Sequence, residues 1–373
     1  MRILFINLPY YGHFVPTIGL VQQLIKRGVE VTYLMPFDWE ERVVESGAIF
    51  YGYRNHRQLS AQIKNAYAAA ECIIEKHDFI IYEQFFFLGK HLAEKYNKPV
   101  ARIFTAPVTN EKLMKEFIAS GPLSVFRHRW IAKAFTKDIA KGIPMKTDNW
   151  LDEIIHNPPQ LNLVYTLREY QPYEKEFPES QYKFLGPSIY ARKDGVLNYT
   201  KNKNPVVYIS LGTVIKGAVS FFQSCIEAFR DENIDVIISA GQKFNVKKLK
   251  NISSNVYIYN RVPQLEVLKI ADAFITHGGM NSVSEALVYG VPMIVIPFVS
   301  DQHVNARCVE KIGAGKVLAY SSVNKNTLKA YVLSVLSDTD IKNNIKKIQK
   351  LIEQSRGNAA GAEIIINYYK SMD

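Results

Sequence analysis

The chain has 373 residues, an apolar share of 47% and a charged share of 22%. That balance excludes wholesale disorder, collagen and coiled coil, and the length suits two domains or three. Lys and Arg number 46 against 35 Asp and Glu, and the excess of +11 suits anionic partners: nucleic acid, nucleotide phosphates or an acidic membrane surface.

Residues 3–8, ILFINL, predict a buried strand. Arg2 before an apolar run resembles the start of a signal peptide, but Asn7 and Pro9 break the run and no small-residue cleavage site follows. Ile18, Leu20, Val21, Leu24 and Ile25 follow with helical spacing, closed by Gly28, and VEVTYLM (29–35) reads as a second strand. This is one βαβ unit, the start of a parallel sheet. Strand DFIIYE (78–83), a helix at 87–96 and strand PVARIF (99–104) continue it, with weaker strands at 161–166 and 182–185. The polar, basic stretch 191–205 reads as a linker. A second series then starts: strand 206–213, a helix at 219–231, strands 235–241, 256–260 and 273–279, a helix at 281–289 and strand 292–297. A Lys-rich helical region (323–354) and a separate apolar helix (358–370) end the chain.

The pattern therefore predicts an α/β protein of two doubly wound domains, 1–190 and 205–355, joined by a linker at 191–204, with 356–373 as a C-terminal helix. Ligands of such sheets bind at the carboxyl ends of the strands, in a cleft. No run of about 18 apolar residues is present, so no transmembrane helix is expected. The three cysteines form no CxxC pair and are odd in number, which fits a reducing, cytoplasmic setting.

The most informative motif is THGGMNSVSEAL (276–287). Gly278 and Gly279 let the backbone turn tightly into a helix starting near Asn281. The free N–H groups and dipole of such a helix start favour a phosphate or pyrophosphate. His277 and Ser282 can add donors, and Glu285 shares their helix face, where a carboxylate can accept from ribose hydroxyls. Ser282-x-x-Glu285 is equally the spacing of a capping box, with Asn281 a good N-cap.

In LPYYGHFVPTIGL (8–20), His13 sits in the loop after the first strand, and histidine titrates near neutrality, as a general base must. Glu83 ends a strand of the same sheet and so lies at the same edge, where it can orient an imidazole. In the second half, Gly212–Thr213, Pro263–Gln264 and Asp301–Gln302 all follow strands; each is also an ordinary turn, stop or cap. Gln264 offers a two-way amide suited to a nucleobase edge. The stretch 127–146 carries Arg127, Arg129, Lys133, Lys137, Lys141 and Lys146 with interleaved aromatics; it reads as a solvated helix face or a peripheral membrane contact. Neither it nor the Lys-rich run 342–350 carries a nucleic-acid motif, so no nucleic-acid partner is expected.

Taken together, YGHFVPTIGL, FLGP (184–187), VYISLGT, RVPQLEVL, THGGMNSVSEAL, YGVPMIVIP and DQHVNA resemble the family 1 UDP-glycosyltransferases, within them the bacterial macrolide-glycosyltransferase group. The resemblance runs in order from near the start to about residue 315 and is denser in the second domain. It implies a GT-B fold of two Rossmann-like domains, the first holding an acceptor and the second a nucleotide sugar. The C-terminal helix would return to pack on the first domain. By this similarity His13 is the base and Glu83 its orienting partner, with Glu where the family usually has Asp. His277, Gly278, Gly279, Asn281 and Ser282 would hold the pyrophosphate, with Thr213 nearby. Gln264 would meet uracil, with Arg261 where the family often has a stacking aromatic. Glu285 would hold ribose, and Asp301 and Gln302 the sugar, a pair that usually accompanies glucose.

The implied reaction is inverting and metal-independent, with UDP-glucose as co-substrate, no resident cofactor and a small apolar acceptor. Tyr10, Tyr11, Phe14, Phe85, Phe86 and Phe87 are candidates to line the acceptor pocket, core packing being the competing use of half of them. A membrane-associated lipid or carotenoid glycosyltransferase, a nucleotide-sugar epimerase and a nucleotide-binding non-enzyme share the same fold-level reading.

Overall fold

The computed structural model describes residues 1–141, 143, 145, 147–190, 192, 195–212 and 219–372. They form two compact units, Met1–Tyr190 with Ile352–Asp373, and Ala191–Leu351.

The first unit runs β1 (Arg2–Ile6), α1 (Tyr11–Lys26), β2 (Glu30–Pro36), α2 (Glu40–Glu45), β3 (Ile49–Tyr53), α3 (Leu59–Glu71), β4 (Phe79–Glu83), α4 (Gly89–Lys95), β5 (Val100–Phe104), α5 (Glu111–Phe117), α6 (Arg129–Ile139), α7 (Trp150–His156), β6 (Leu161–Val164) and β7 (Tyr182–Phe184). Its seven strands lie in the order β3-β2-β1-β4-β5-β6-β7, and every pair is parallel. Side chains alternate faces along each strand. Ile3 and Phe5 therefore join one core with α1 and α2 residues, while Leu4 and Ile6 join the other with α3, α4 and α7 residues. Both faces are covered by helices, which is why the strands read as continuous apolar runs rather than alternating ones.

The second unit runs β8 (Val206–Ser210), α8 (Val219–Phe229), β9 (Asp235–Ser239), β10 (Val256–Tyr259), α9 (Gln264–Leu268), β11 (Ala273–Thr276), α10 (Met280–Tyr289), β12 (Met293–Val295), α11 (Ser300–Lys311), β13 (Gly315–Val317), α12 (Lys325–Ser337) and α13 (Thr339–Ser355). Its order is β10-β9-β8-β11-β12-β13, again all parallel. Both sheets thus share one winding: three strands are laid down in one direction, and the chain then crosses to the other side of the first.

The final helix, α14 (Gly357–Lys370), belongs to the first unit and packs along α1. Ala362 and Ile365 enter its core, Glu363 pairs with Arg27 at 3.1 Å, and Ser188 Oγ donates to Asn358 Oδ1 at 3.0 Å.

Several elements differ from the sequence-based expectations. β3, α3, α11 and β13 have no counterpart there. Most strands end one to three residues earlier than the apolar runs suggest, though β4 and β5 end as expected and β2 one residue later; after β8 and β11, Gly212 (φ 71°) and Gly278 (φ 84°) turn the backbone out of the sheet. The helical region 323–354 is two helices. Asp338 divides them, its Oδ1 accepting from the N–H groups of Asp340 and Ile341 at 3.1 Å each. Residues 195–204 are not free linker. Tyr199, Asn202 and Asn204 all donate to the buried Asp235 carboxylate at 2.7–2.8 Å, fastening that segment to the second unit.

Candidate active site

In the first unit the strand order reverses between β1 and β4, and in an open parallel sheet that reversal opens a crevice at the carboxyl edge. Tyr82 pairs with Ile6, so Glu83 stands beside the start of the turn that follows β1. That turn is short. α1 begins at Tyr11, which places His13 in its first turn rather than in a loop. His13 Nδ1 lies 2.8 Å from Glu83 Oε1. Glu83 is fully buried, whereas His13 keeps 23% of its side-chain surface.

A buried carboxylate must be met by donors. Glu83 Oε2 accepts from the Phe85 N–H at 3.0 Å. Its Oε1 accepts from Thr105 Oγ1 at 3.2 Å, and Thr105 Oγ1 also lies 2.9 Å from His13 Nδ1. Thr105 was not singled out from the sequence. The available signal was its place just after the strand 99–104, at the same sheet edge as Glu83.

Of the six aromatic candidates, Phe85 packs edge-on to His13 with centroids 4.5 Å apart, and Tyr10 stands 5.8 Å from Phe85. Tyr10 and Tyr11 are exposed. Phe14, Phe86 and Phe87 are core residues instead. Phe14 is buried against Tyr33 and Trp39, and Phe86 and Phe87 lie in the opposite core layer. Phe37, which the sequence reading passed over, follows β2 at the same edge and is 63% exposed.

In the second unit the order reverses between β8 and β11, and the turns after these strands carry Gly212 and His277. His277 is buried, and its Nδ1 has no hydrogen-bond partner among the described residues. Burial pushes its pKa down to about 4, so the imidazole is neutral at pH 7. Its ring is held in a slot of glycines: a Cβ at Gly212 would lie 2.6 Å from Cε1, and one at Gly279 2.5 Å from Nε2. Gly279 is the N-cap of α10 and makes no side-chain cap. Asn281 and Ser282 are therefore in the first helical turn, and the capping box that Ser282 and Glu285 suggested is not formed. The first-turn N–H groups carry the positive end of the helix dipole without a side-chain acceptor from the N-cap.

Gln264, Ser282 and Glu285 come together. Gln264 Nε2 donates to Glu285 Oε2 at 2.7 Å and approaches Ser282 Oγ at 3.4 Å, while its Oε1 accepts from Tyr208 at 3.0 Å. Both ends of the amide are thus engaged beside Glu285, not spread along a base edge. Arg192 completes the cluster with a two-pronged contact to the buried Glu285 carboxylate at 2.6 and 3.2 Å. Nothing in the sequence marked it, since it sits in the basic stretch read as linker.

Gln302 is buried, and its Oε1 accepts from the backbone N–H groups of Phe298 and Val299 at 2.9 and 3.3 Å, fixing the start of α11. Asp301 is exposed on the first turn of α11, and Arg261 is exposed between β10 and α9. Thr213 lies outside the described residues. Among the described residues no cluster of three His, Cys, Asp or Glu could hold a metal ion, and no helix is long and apolar enough to cross a membrane.

Known proteins are similar to this chain over nearly its whole length. The family described as UDP-glucoronosyl and UDP-glucosyl transferase matches residues 195–355. The NDP-glycosyltransferase YjiC of Bacillus licheniformis is 32% identical, covering 96% of this chain and 95% of its own length. The oleandomycin glycosyltransferase of Streptomyces antibioticus is 24% identical, covering 96% of this chain and 89% of its own. Among solved structures, the glycotransferase of kitacinnamycin superposes with a TM-score of 0.85 at 25% identity, covering 98% of each chain. With two parallel α/β units of one winding and these relatives, the chain belongs to the UDP-glycosyltransferase family, in its bacterial macrolide-type group, and is a nucleotide-sugar glycosyltransferase of GT-B fold.

Proposed function

We propose that the enzyme inverts the anomeric centre as it moves glucose from UDP-glucose to a hydroxyl of a small apolar or aromatic acceptor. The carrying observation is the 2.8 Å contact between the part-exposed His13 and the buried Glu83, beside the exposed Tyr10 and the half-buried Phe85. Nε2 of His13 takes the acceptor's hydroxyl proton as that oxygen attacks the anomeric carbon. The bond from that carbon to the diphosphate oxygen breaks, and Glu83 steadies the imidazolium. The departing UDP keeps the bonding electrons. Its charge is met by the α10 N-terminus with His277, Asn281 and Ser282. Such a site needs no metal to stabilise the leaving group, and activity in excess EDTA tests that. Glu285 and Gln264 suit the ribose, Asp301 and Gln302 the hexose, and Arg261 can stack on the base as a guanidinium. A donor panel of UDP-, TDP- and GDP-glucose tests the base preference. The three cysteines are free, which suits a reducing cytoplasm.

UDP release on phenolic and macrolide acceptors should fall at least about a hundredfold in His13→Ala. Full turnover in that variant would remove His13 from the base role.

A second acceptor class has support from α6. Ala132, Thr136 and Ile139 are buried, so the outward face presents Arg129, Trp130, Lys133 and Lys137, with Trp130 73% exposed and Lys133 paired with Asp148 at 2.9 Å. An exposed tryptophan flanked by Arg129 and Lys133 suits an anionic lipid surface, from which an amphiphilic acceptor would be drawn. Flotation with phosphatidylglycerol vesicles, but not phosphatidylcholine ones, is the expected result. Trp130→Ala with Lys133→Glu should abolish it, and failure of the unaltered protein to float on either would refute this reading.

A further inference from the structure

We propose that Thr105 is a positioning residue that holds the Glu83 carboxylate against His13; the inference rests on the reading of His13 as the base. Glu83, His13 and Thr105 form a closed triangle: Nδ1 to Oε1 at 2.8 Å, Oγ1 to Oε1 at 3.2 Å and Oγ1 to Nδ1 at 2.9 Å. The other carboxylate oxygen is tied to the Phe85 N–H at 3.0 Å, so the carboxylate cannot swing away from the triangle without losing a buried donor.

The hydrogens can then be placed by elimination. An ionised carboxylate only accepts, so the proton between His13 and Oε1 must sit on Nδ1. The one hydroxyl hydrogen of Thr105 goes to Oε1, and its lone pairs face the Nδ1–H. In the alternative, the hydroxyl would point at a bare Nδ1. Oε1 would then lose its Thr105 donor and confront a nitrogen lone pair at 2.8 Å. Only the first arrangement satisfies every buried group, and it leaves the lone pair on Nε2, the nitrogen a base must offer. Thr105 suits the task because it is almost fully buried, follows directly on β5 and is β-branched, which restricts its χ1.

The role differs from that of Glu83. Glu83 supplies the charge and sets the tautomer; Thr105 supplies the donor that keeps Oε1 turned toward Nδ1. Thr105→Val keeps the shape and deletes the hydroxyl, whereas Thr105→Ser keeps the hydroxyl. The expected result is a fall of about tenfold in kcat for Thr105→Val, with donor KM within twofold, and recovery to within about threefold in Thr105→Ser.

The decisive readout is the 15N resonance of His13, assigned by its loss in His13→Gln. In the wild-type chain at pH 8 it should show a protonated Nδ1 and a bare Nε2. In Thr105→Val the Nδ1 signal should shift as its hydrogen bond to a less firmly held Oε1 weakens, with Nε2 still bare. A wild-type ring protonated on Nε2 would overturn the proposal without any variant, as would a Thr105→Val with unchanged kcat and unchanged shifts. Activity surviving in His13→Ala would instead overturn the base assignment, so the two failures are separable. The thermal denaturation midpoint reports whether each variant is folded.

Discussion

A methyl group at position 279 would collide with the His277 ring, and the same holds at 212. Gly279→Ala should therefore displace the ring and weaken UDP binding by about tenfold, read by calorimetry, because the first turn of α10 has no slack to absorb the clash. His277 carries a second consequence. Its pKa is about 4 when folded against an ordinary 6.5, because burial disfavours the imidazolium. Above pH 6.5 the folded and unfolded chains are both neutral there, and the group has no effect. As pH falls from 6.5 to 4 the unfolded chain takes up a proton that the folded chain refuses. Stability is lost across that window, by about 3 kcal/mol once complete. Urea midpoints from pH 7 to 4 should fall less steeply in His277→Gln than in the wild type. A diphosphate bound beside the ring would favour the imidazolium, so UDP binding should consume protons near pH 5, measurable in buffers of different ionisation enthalpy.

Helix α14 shows how an element far along the chain completes an early one. Its apolar residues Ala362 and Ile365 fill the layer over β1 and β2 that α1 and α2 leave incomplete. Arg27, Glu363 and Arg356 form a surface ion-pair chain at its rim, at 3.1 and 2.7 Å. Exposed pairs of this kind contribute little, so the apolar contact should dominate. Ile365→Ala is expected to cost about 3 kcal/mol, and charge removal at Glu363 much less, both read as shifts of the denaturation midpoint. At the same scale, the aromatic segment at 85–87 shows why two of its three residues are core. Three consecutive residues after a strand cannot all face a ligand. Phe85 turns toward His13 while Phe86 and Phe87 turn into the layer formed with Leu92, Trp150 and Ile154.

Across the whole molecule, the charge of +11 is not what builds the proposed anion site. That site consists of a helix start, a neutral histidine and glycines, so UDP affinity should change by less than about tenfold between 50 and 500 mM salt. Lipid flotation through α6, which depends on Lys and Arg, should vanish over the same range. The strand-and-helix alternation was legible in the residues because apolar runs, turn glycines and helical spacing are local. His13 and Glu83 could be paired from sequence alone, since parallel strands put their carboxyl ends on one edge. The strand order could not be read, because which strand lies beside β1 is settled by packing across the sheet. That order brought Thr105 to Glu83 from 22 residues away and to His13 from 92. It likewise turned Phe14 into core. A distant basic residue, Arg192, reaches Glu285 across 93 residues by the same kind of long-range packing. The sequence by itself determined the α/β class, the family motifs and the glycine-lined helix start. Only tertiary packing decided which side chains meet at the sheet edges, because burial and hydrogen-bond satisfaction are properties of neighbours that the chain order does not specify.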